Sequence, residues 1–90
     1  MRESVLEGHL VERIRRIGGL CLKFTSPGTI GVPDRVVILP GGEVVWTELK
    51  TLTGVVSSPQ KRMHARLRAL MQEVKVIRTV EDIHKGFPLQ

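Results

Sequence analysis

The N-terminal segment carries apolar side chains at the spacing of an amphipathic helix. Its charged residues lie largely on the other side of the same helical wheel. A glycine pair, Gly18 and Gly19, follows and is typical of a left-handed helix end. The apolar stripe consists of Leu6, Leu10, Ile14 and Ile17. The pattern therefore predicts a helix over residues 3–17.

One carboxylate interrupts this apolar stripe. Glu7 falls between Ile14 and Val11 on the helical wheel, and a buried carboxylate needs a partner, either a metal ion or a basic side chain. Two alternatives stay open. Glu7 can lie at the edge of the stripe and reach water along its stem, or Glu3, one turn earlier on the same side, can take its place.

The rest of the chain predicts four strands and two further helices. Strands are expected over residues 20–25, 36–39, 44–47 and 74–78, with turn residues between them. Ser58 as N-cap and Pro59 as the first helical residue predict a second helix that continues to about Gln72. Its expected apolar stripe is Met63, Leu67, Leu70 and Met71.

Thr79 is the expected N-cap of a short last helix over residues 80–85, and residues 51–57 are expected to form a mobile loop. The order is helix, three strands, helix, strand and short helix. This order predicts an α/β (α+β) fold.

The hairpin formed by the second and third strands places three charged side chains together. With Pro40-Gly41-Gly42 as the turn, Asp34 and Glu48 are equally distant from Gly41, so their Cβ atoms are expected roughly 5 Å apart across the strands. Because side chains alternate along a strand, Lys50 projects from the same face as Glu48. The two carboxylates can therefore share one ion beside an amine.

Composition narrows the class of protein. The 90 residues are expected to form a single domain over residues 1–90, and the formal charge of +5 favours a polyanionic partner such as nucleic acid. The single Cys21 excludes an internal disulfide framework and a cysteine-rich zinc site. With no signal-peptide pattern or long apolar run, a cytoplasmic protein is expected.

The expected chemistry is phosphodiester hydrolysis. Asp34, Glu48 and Glu7 offer hard oxygen ligands that suit Mg²⁺ or Mn²⁺, and such an ion can activate a water for attack on a phosphodiester. Lys50 can orient or deprotonate that water, or offset charge on the phosphate. Gln60 lies in the first turn of the second helix, where free backbone amides favour an anion.

The motifs that carry these residues resemble a known nuclease family. Pro33-Asp34, followed by Glu48-Leu49-Lys50 at the end of the next strand, resembles the PD-(D/E)xK nuclease signature. Three further stretches, residues 23–28, 31–35 and 58–60, make nearly the full chain similar to the small, free-standing VRR-NUC (virus-type replication-repair nuclease) domains.

The resemblance implies a fold, an activity and a set of roles. The implied fold is an αβββαβ core with a mixed central sheet flanked by helices, and the implied activity is that of a divalent-metal-dependent endonuclease. Asp34 and Glu48 match the metal ligands of the family, and Lys50 matches its catalytic lysine. Gln60 matches its active-site glutamine, and Glu7 best matches its first-helix glutamate, with Glu3 as the alternative.

The resemblance also suggests a substrate. Stand-alone domains of this family resemble junction resolvases, so a homodimer that cuts four-way (Holliday) junction DNA in replication or repair is the preferred expectation. A flap nuclease, a nicking enzyme, a subunit recruited by a helicase, a catalytically silent DNA-binding module and an RNA-directed nuclease remain alternatives. Trp46 is expected to pack in the core or at a dimer contact. His9, His64 and His84 are interpreted as surface or hydrogen-bonded histidines.

Overall fold

The computed structural model describes residues 1–89. Helices and strands follow one another in the predicted order. They are α1 (Glu3–Ile17), β1 (Leu20–Lys23), β2 (Arg35–Ile38), β3 (Val44–Leu49), α2 (Ser58–Ala69), β4 (Glu73–Ile77) and α3 (Val80–Gly86).

The strands form one mixed sheet in the order β1-β2-β3-β4. The first three are antiparallel neighbours, and β4 runs parallel to β3 after the chain has crossed over through α2. In the hairpin, Arg35 pairs with Thr47, so the pairing is centred on Gly41 as predicted. Gly41 has a φ of 97°, a conformation that glycine adopts without steric cost. The predicted α+β fold with a mixed sheet is confirmed.

The first helix begins and ends where the sequence predicts. Gly18 has a φ of 93°, and its N–H donates to the carbonyl oxygens of Ile14 and Arg15 at the helix end. The side chains that α1 buries are Leu6, Leu10 and Ile14, which belong to the predicted stripe. The 3.6-residue period therefore defines both the helix and its buried face.

The apolar core lies between one face of the sheet and the pair α1 and α3. Because side chains alternate along a strand, Val45 and Leu49 point to this face, whereas Glu48 points to the opposite face, toward α2. The core residues are Leu6, Leu10, Ile14, Val37, Val45, Leu49, Ile77, Ile83 and Phe87. The buried residues between the sheet and α2 include the polar pair Glu48 and His64.

The start and end of α2 differ from the prediction. The N-cap is Ser57 rather than Ser58, because the Ser57 hydroxyl accepts from the Gln60 N–H. The helix ends at Ala69, and the expected stripe positions Leu70 and Met71 are 71% and 90% exposed. His64 is the one fully buried residue of α2. The apolar spacing continues past the end of the helix, so the sequence pattern did not identify His64 as the position that faces the sheet.

The segment after β3 is held by a single guanidinium. Arg78 donates through Nη1 to the carbonyl oxygens of Thr51 at 2.8 Å and Gly54 at 2.6 Å. Gly54 N–H closes a turn onto the Thr51 carbonyl oxygen. The first half of the expected mobile loop is thus a turn anchored to the end of β4. Within residues 1–89, no helix has the length and apolar character needed to span a membrane.

Candidate active site

Two carboxylates meet where the hairpin strands approach α2. Extending the pairing of Arg35 with Thr47 by one residue places Asp34 opposite Glu48, as the symmetry about Gly41 predicts. The Leu49 N–H donates to Asp34 Oδ2 at 2.9 Å, which fixes the aspartate against β3. Glu48 is only 1% exposed. The pair therefore combines a half-buried aspartate with a fully buried glutamate.

This arrangement changes the acidity of Glu48. Burial and the hydrogen bond and negative charge of Asp34 raise the pKa of Glu48 from 4.5 to about 8. The Lys50 ammonium acts in the opposite direction, and the Glu3 carboxylate adds a smaller increase. Glu48 consequently holds a proton at neutral pH unless a further positive charge arrives. Strongly shifted carboxyl groups of this kind are concentrated at functional sites.

Gln60 reaches Glu48 from the first turn of α2. Its Oε1 accepts from the Ser57 N–H at 2.8 Å, and its Nε2 donates to Glu48 Oε2 at 3.3 Å. The Gln60 N–H in turn donates to the Ser57 hydroxyl at 3.2 Å, so the two residues form a capping box. Because the cap uses the amide oxygen, it leaves the amide nitrogen to face the carboxylate.

His64, interpreted from the sequence as a surface or hydrogen-bonded histidine, lies in the candidate site against Glu48. It is 3% exposed, and its Nε2 lies 3.4 Å from Glu48 Oε1. Burial, followed by the charges of Arg68 and Lys50, lowers the pKa of His64. The contact is therefore a hydrogen bond between uncharged groups at neutral pH. The spacing of Gln60 and His64, one helical turn apart at the same face of α2, was the signal that could have revealed it.

Lys50 lies directly after β3 and is half-buried. Its N–H donates to the Ile77 carbonyl oxygen at 3.0 Å, which ties this point of the chain to β4. Its positive charge lowers the pKa of both Glu48 and His64. The ammonium group is therefore close to the buried carboxylate, at the place predicted from strand alternation.

Glu7 does not join the carboxylate pair. Its Oε2 accepts from Arg35 Nε at 2.8 Å and lies 4.0 Å from Lys23 Nζ. Since Arg35 alternates with Asp34 along the chain, it projects to the α1 face of the sheet. Of the two partners expected for this carboxylate, a metal ion or a basic side chain, the structure supplies the basic side chain. Glu3 is the α1 carboxylate whose charge reaches Glu48.

Trp46 lies on the same face as Glu48, two residues earlier in β3. Its ring makes an edge-to-face contact with Phe24, with centroids 5.1 Å apart. Its Nε1 donates to Gln72 Oε1 at 3.0 Å. The indole is thus a packing residue that links β3 to the segment between α2 and β4.

The donor set suits a hard divalent cation. Within the described residues 1–89, no three histidine, cysteine, aspartate or glutamate side chains are grouped closely enough to hold a metal ion. Mg²⁺ is commonly held by only one or two carboxylates together with substrate phosphates and water, which Asp34 and Glu48 can provide. A cation held by these residues would also offset the burial and the negative charge of Asp34 that keep Glu48 protonated. The residues present therefore fit the group that the PD-(D/E)xK signature implies.

Comparisons with known proteins show the family of this chain. No protein-family model matches the chain. It is 47% identical over 77 residues to "Putative nuclease p44" of Acyrthosiphon pisum secondary endosymbiont phage 1, and the match covers 86% of this chain and 83% of that protein. A solved structure described as a VRR_NUC domain superposes with a TM-score of 0.87 at 31% identity, covering 92% of this chain and 90% of the other. The chain therefore belongs to the VRR-NUC family of nucleases.

Proposed function

We propose that this protein is a Mg²⁺- or Mn²⁺-dependent endodeoxyribonuclease that hydrolyses phosphodiester bonds. The observation that carries the proposal is the Asp34–Glu48 pair. The two carboxylates adjoin, and the pKa of Glu48 is raised to about 8. They are the candidate metal ligands, and Lys50 and Gln60 lie beside them. Glu7 and Glu3 both stay candidates for the third carboxylate, and the ion pair of Glu7 with Arg35 favours Glu3.

A bound divalent ion would supply Lewis acidity, lowering the pKa of a water and offsetting charge on the phosphate. The protein supplies position. Asp34 is held by the Leu49 N–H, and Glu48 is held by Gln60 and His64. Positive charge near Glu48 would promote loss of its proton. Asp34 and Glu48 would then both be free to act as ligands. As the ammonium, Lys50 would stabilise charge on the pentacoordinate transition state; as the neutral amine, it would accept the proton of the attacking water.

The proposed substrate is branched DNA, with the four-way junction as the preferred form and replication or repair as the setting. A homodimer would place two sites on one junction, one for each strand to be cut. Recruitment by a helicase is compatible with the same chemistry. The proposed location is the cytoplasm, where the thiol of Cys21 stays reduced.

The test is cleavage of a labelled four-way junction by the wild-type protein and by Asp34→Asn. Linear duplex, single-stranded DNA and RNA serve as control substrates, and each is incubated with Mg²⁺, Mn²⁺ or EDTA. We expect only the wild type to cut, only with metal, and the junction in preference to the controls. Binding of the junction without cleavage under every condition would instead identify a catalytically silent or partner-dependent DNA-binding module.

A further inference from the structure

A groove runs along α2 beside the candidate active site. Its other wall is the loop at Gly28, Thr29 and Ile30, and its volume is about 300 Å³. The loop is held close to the helix because Gly31 packs against its first turn. A side-chain carbon at Gly31 would overlap the Pro59 carbonyl oxygen, so only glycine permits this approach.

The groove begins next to a residue of the candidate site. Pro59 lines the groove, and the next residue, Gln60, donates to Glu48. Moving away from the site along the helix, the groove is lined by Arg62 and Arg66. These arginines are one helical turn apart, which separates their Cα atoms by about 6 Å along the axis. This distance is comparable with the separation of neighbouring phosphates on one strand.

The arginines of the groove differ from most others in the chain. Several arginines are bound by protein groups: Arg13, Arg15, Arg35, Arg68 and Arg78. Arg62 and Arg66 are exposed and make no hydrogen bond or ion pair with residues 1–89. None of the groove-lining residues is acidic. The groove therefore presents uncompensated positive charge beside the candidate site.

We propose that this groove binds the sugar-phosphate backbone of the DNA strand that is cut, on one side of the scissile phosphate. The proposal rests on the proposed nuclease function and adds the path of the strand. Arg62 and Arg66 would each contact a phosphate, and both can donate bidentately. Ile30, which is 74% exposed at the rim, would contact the sugar edge. Such contacts position a substrate without reading its sequence.

The experiment is DNA binding by fluorescence anisotropy in EDTA, with a labelled four-way junction and a linear duplex over a series of salt concentrations. The groove variant is Arg62→Ala/Arg66→Ala. The matched control is Arg16→Ala/Lys85→Ala, which removes the same charge from exposed positions on α1 and α3. The variant Arg62→Lys/Arg66→Lys keeps the charge and removes the bidentate geometry.

We expect the groove variant to bind at least tenfold more weakly at about 100 mM salt. The slope of log K against log salt should fall by about 1.8 for duplex DNA, because two phosphate contacts are lost. The control should change affinity by less than about twofold with its slope retained, and the lysine variant should keep most of the slope. These results support the groove as the backbone site.

An equal loss of affinity in the groove variant and the control would overturn the proposal, as would an unchanged salt slope in the groove variant. Failure of the groove is distinguished from failure of the function by the wild type. If the wild type cuts DNA with metal and the groove variants bind DNA as tightly as the wild type, only the groove proposal is refuted. A wild type that neither binds nor cuts DNA refutes both.

Discussion

The buried carboxylate of Glu48 should cost the fold stability at neutral pH, and Glu48→Gln should recover it. The folded protein keeps a proton on Glu48 up to pH of about 8, whereas the unfolded chain releases it near 4.5. Between these values the folded state binds more protons, so stability falls as pH rises. The free energy of unfolding of the wild type is thus unaffected by Glu48 below the pKa of the unfolded chain. The destabilisation reaches its full size above the pKa of the folded protein.

The size of the effect follows from the pKa shift. At pH 7 the gap from the ordinary value is about 2.5 pH units, equivalent to about 3 kcal/mol of lost stability. Local relaxation around a charged Glu48 would reduce this figure, so we expect Glu48→Gln to stabilise the protein by about 2 kcal/mol. The amide is neutral at every pH, and its oxygen can still accept from Gln60 while its nitrogen can face His64.

The assay is urea unfolding in EDTA at about pH 5, 7 and 8, followed by the fluorescence of the single tryptophan, Trp46. The stability difference between Glu48→Gln and wild type should grow from under about 1 kcal/mol at the lowest pH to its maximum near pH 8. Glu43→Gln, an exposed change in the same hairpin, should show no such growth. A difference that stays constant with pH, or a destabilised Glu48→Gln, would refute the reasoning. The same variant should lose cleavage.

Three further predictions concern the neighbours of this carboxylate. Lys50→Ala should lower turnover by at least about a hundredfold while DNA binding is kept; lost binding would make the lysine a phosphate clamp. Glu3→Gln should reduce cleavage more than Glu7→Gln. Glu7→Gln should instead lower the free energy of unfolding by about 1–3 kcal/mol, because its arginine partner loses a charge-assisted hydrogen bond. The reverse pattern would return the ligand role to Glu7. Ser57→Ala should cost about 1 kcal/mol of stability and slow cleavage by releasing Gln60, and Ser57→Thr, which keeps the hydroxyl, should restore both properties.

The sequence determined the parts of this protein that depend on local pattern. The helix over residues 3–17 follows from a 3.6-residue apolar period and a terminal glycine. The hairpin register follows from a turn that only a few residue types can form. Once the register is known, counting residues from the turn shows that Asp34 lies opposite Glu48 and that Lys50 projects toward the same face. The family resemblance rests on the same residues together with the stretches 23–28, 31–35 and 58–60.

The tertiary structure decided which side chains meet across elements. A helical wheel shows that Glu7 lies near the buried face, but the rotation of α1 over the sheet determines that it meets Arg35 rather than the carboxylate pair. The packing of α2 likewise decided that His64 is buried against Glu48, and that an apolar run extends past the helix end into solvent. Sequence periodicity specifies a face, whereas the partner of that face depends on the distances and angles between packed elements, which no single segment encodes.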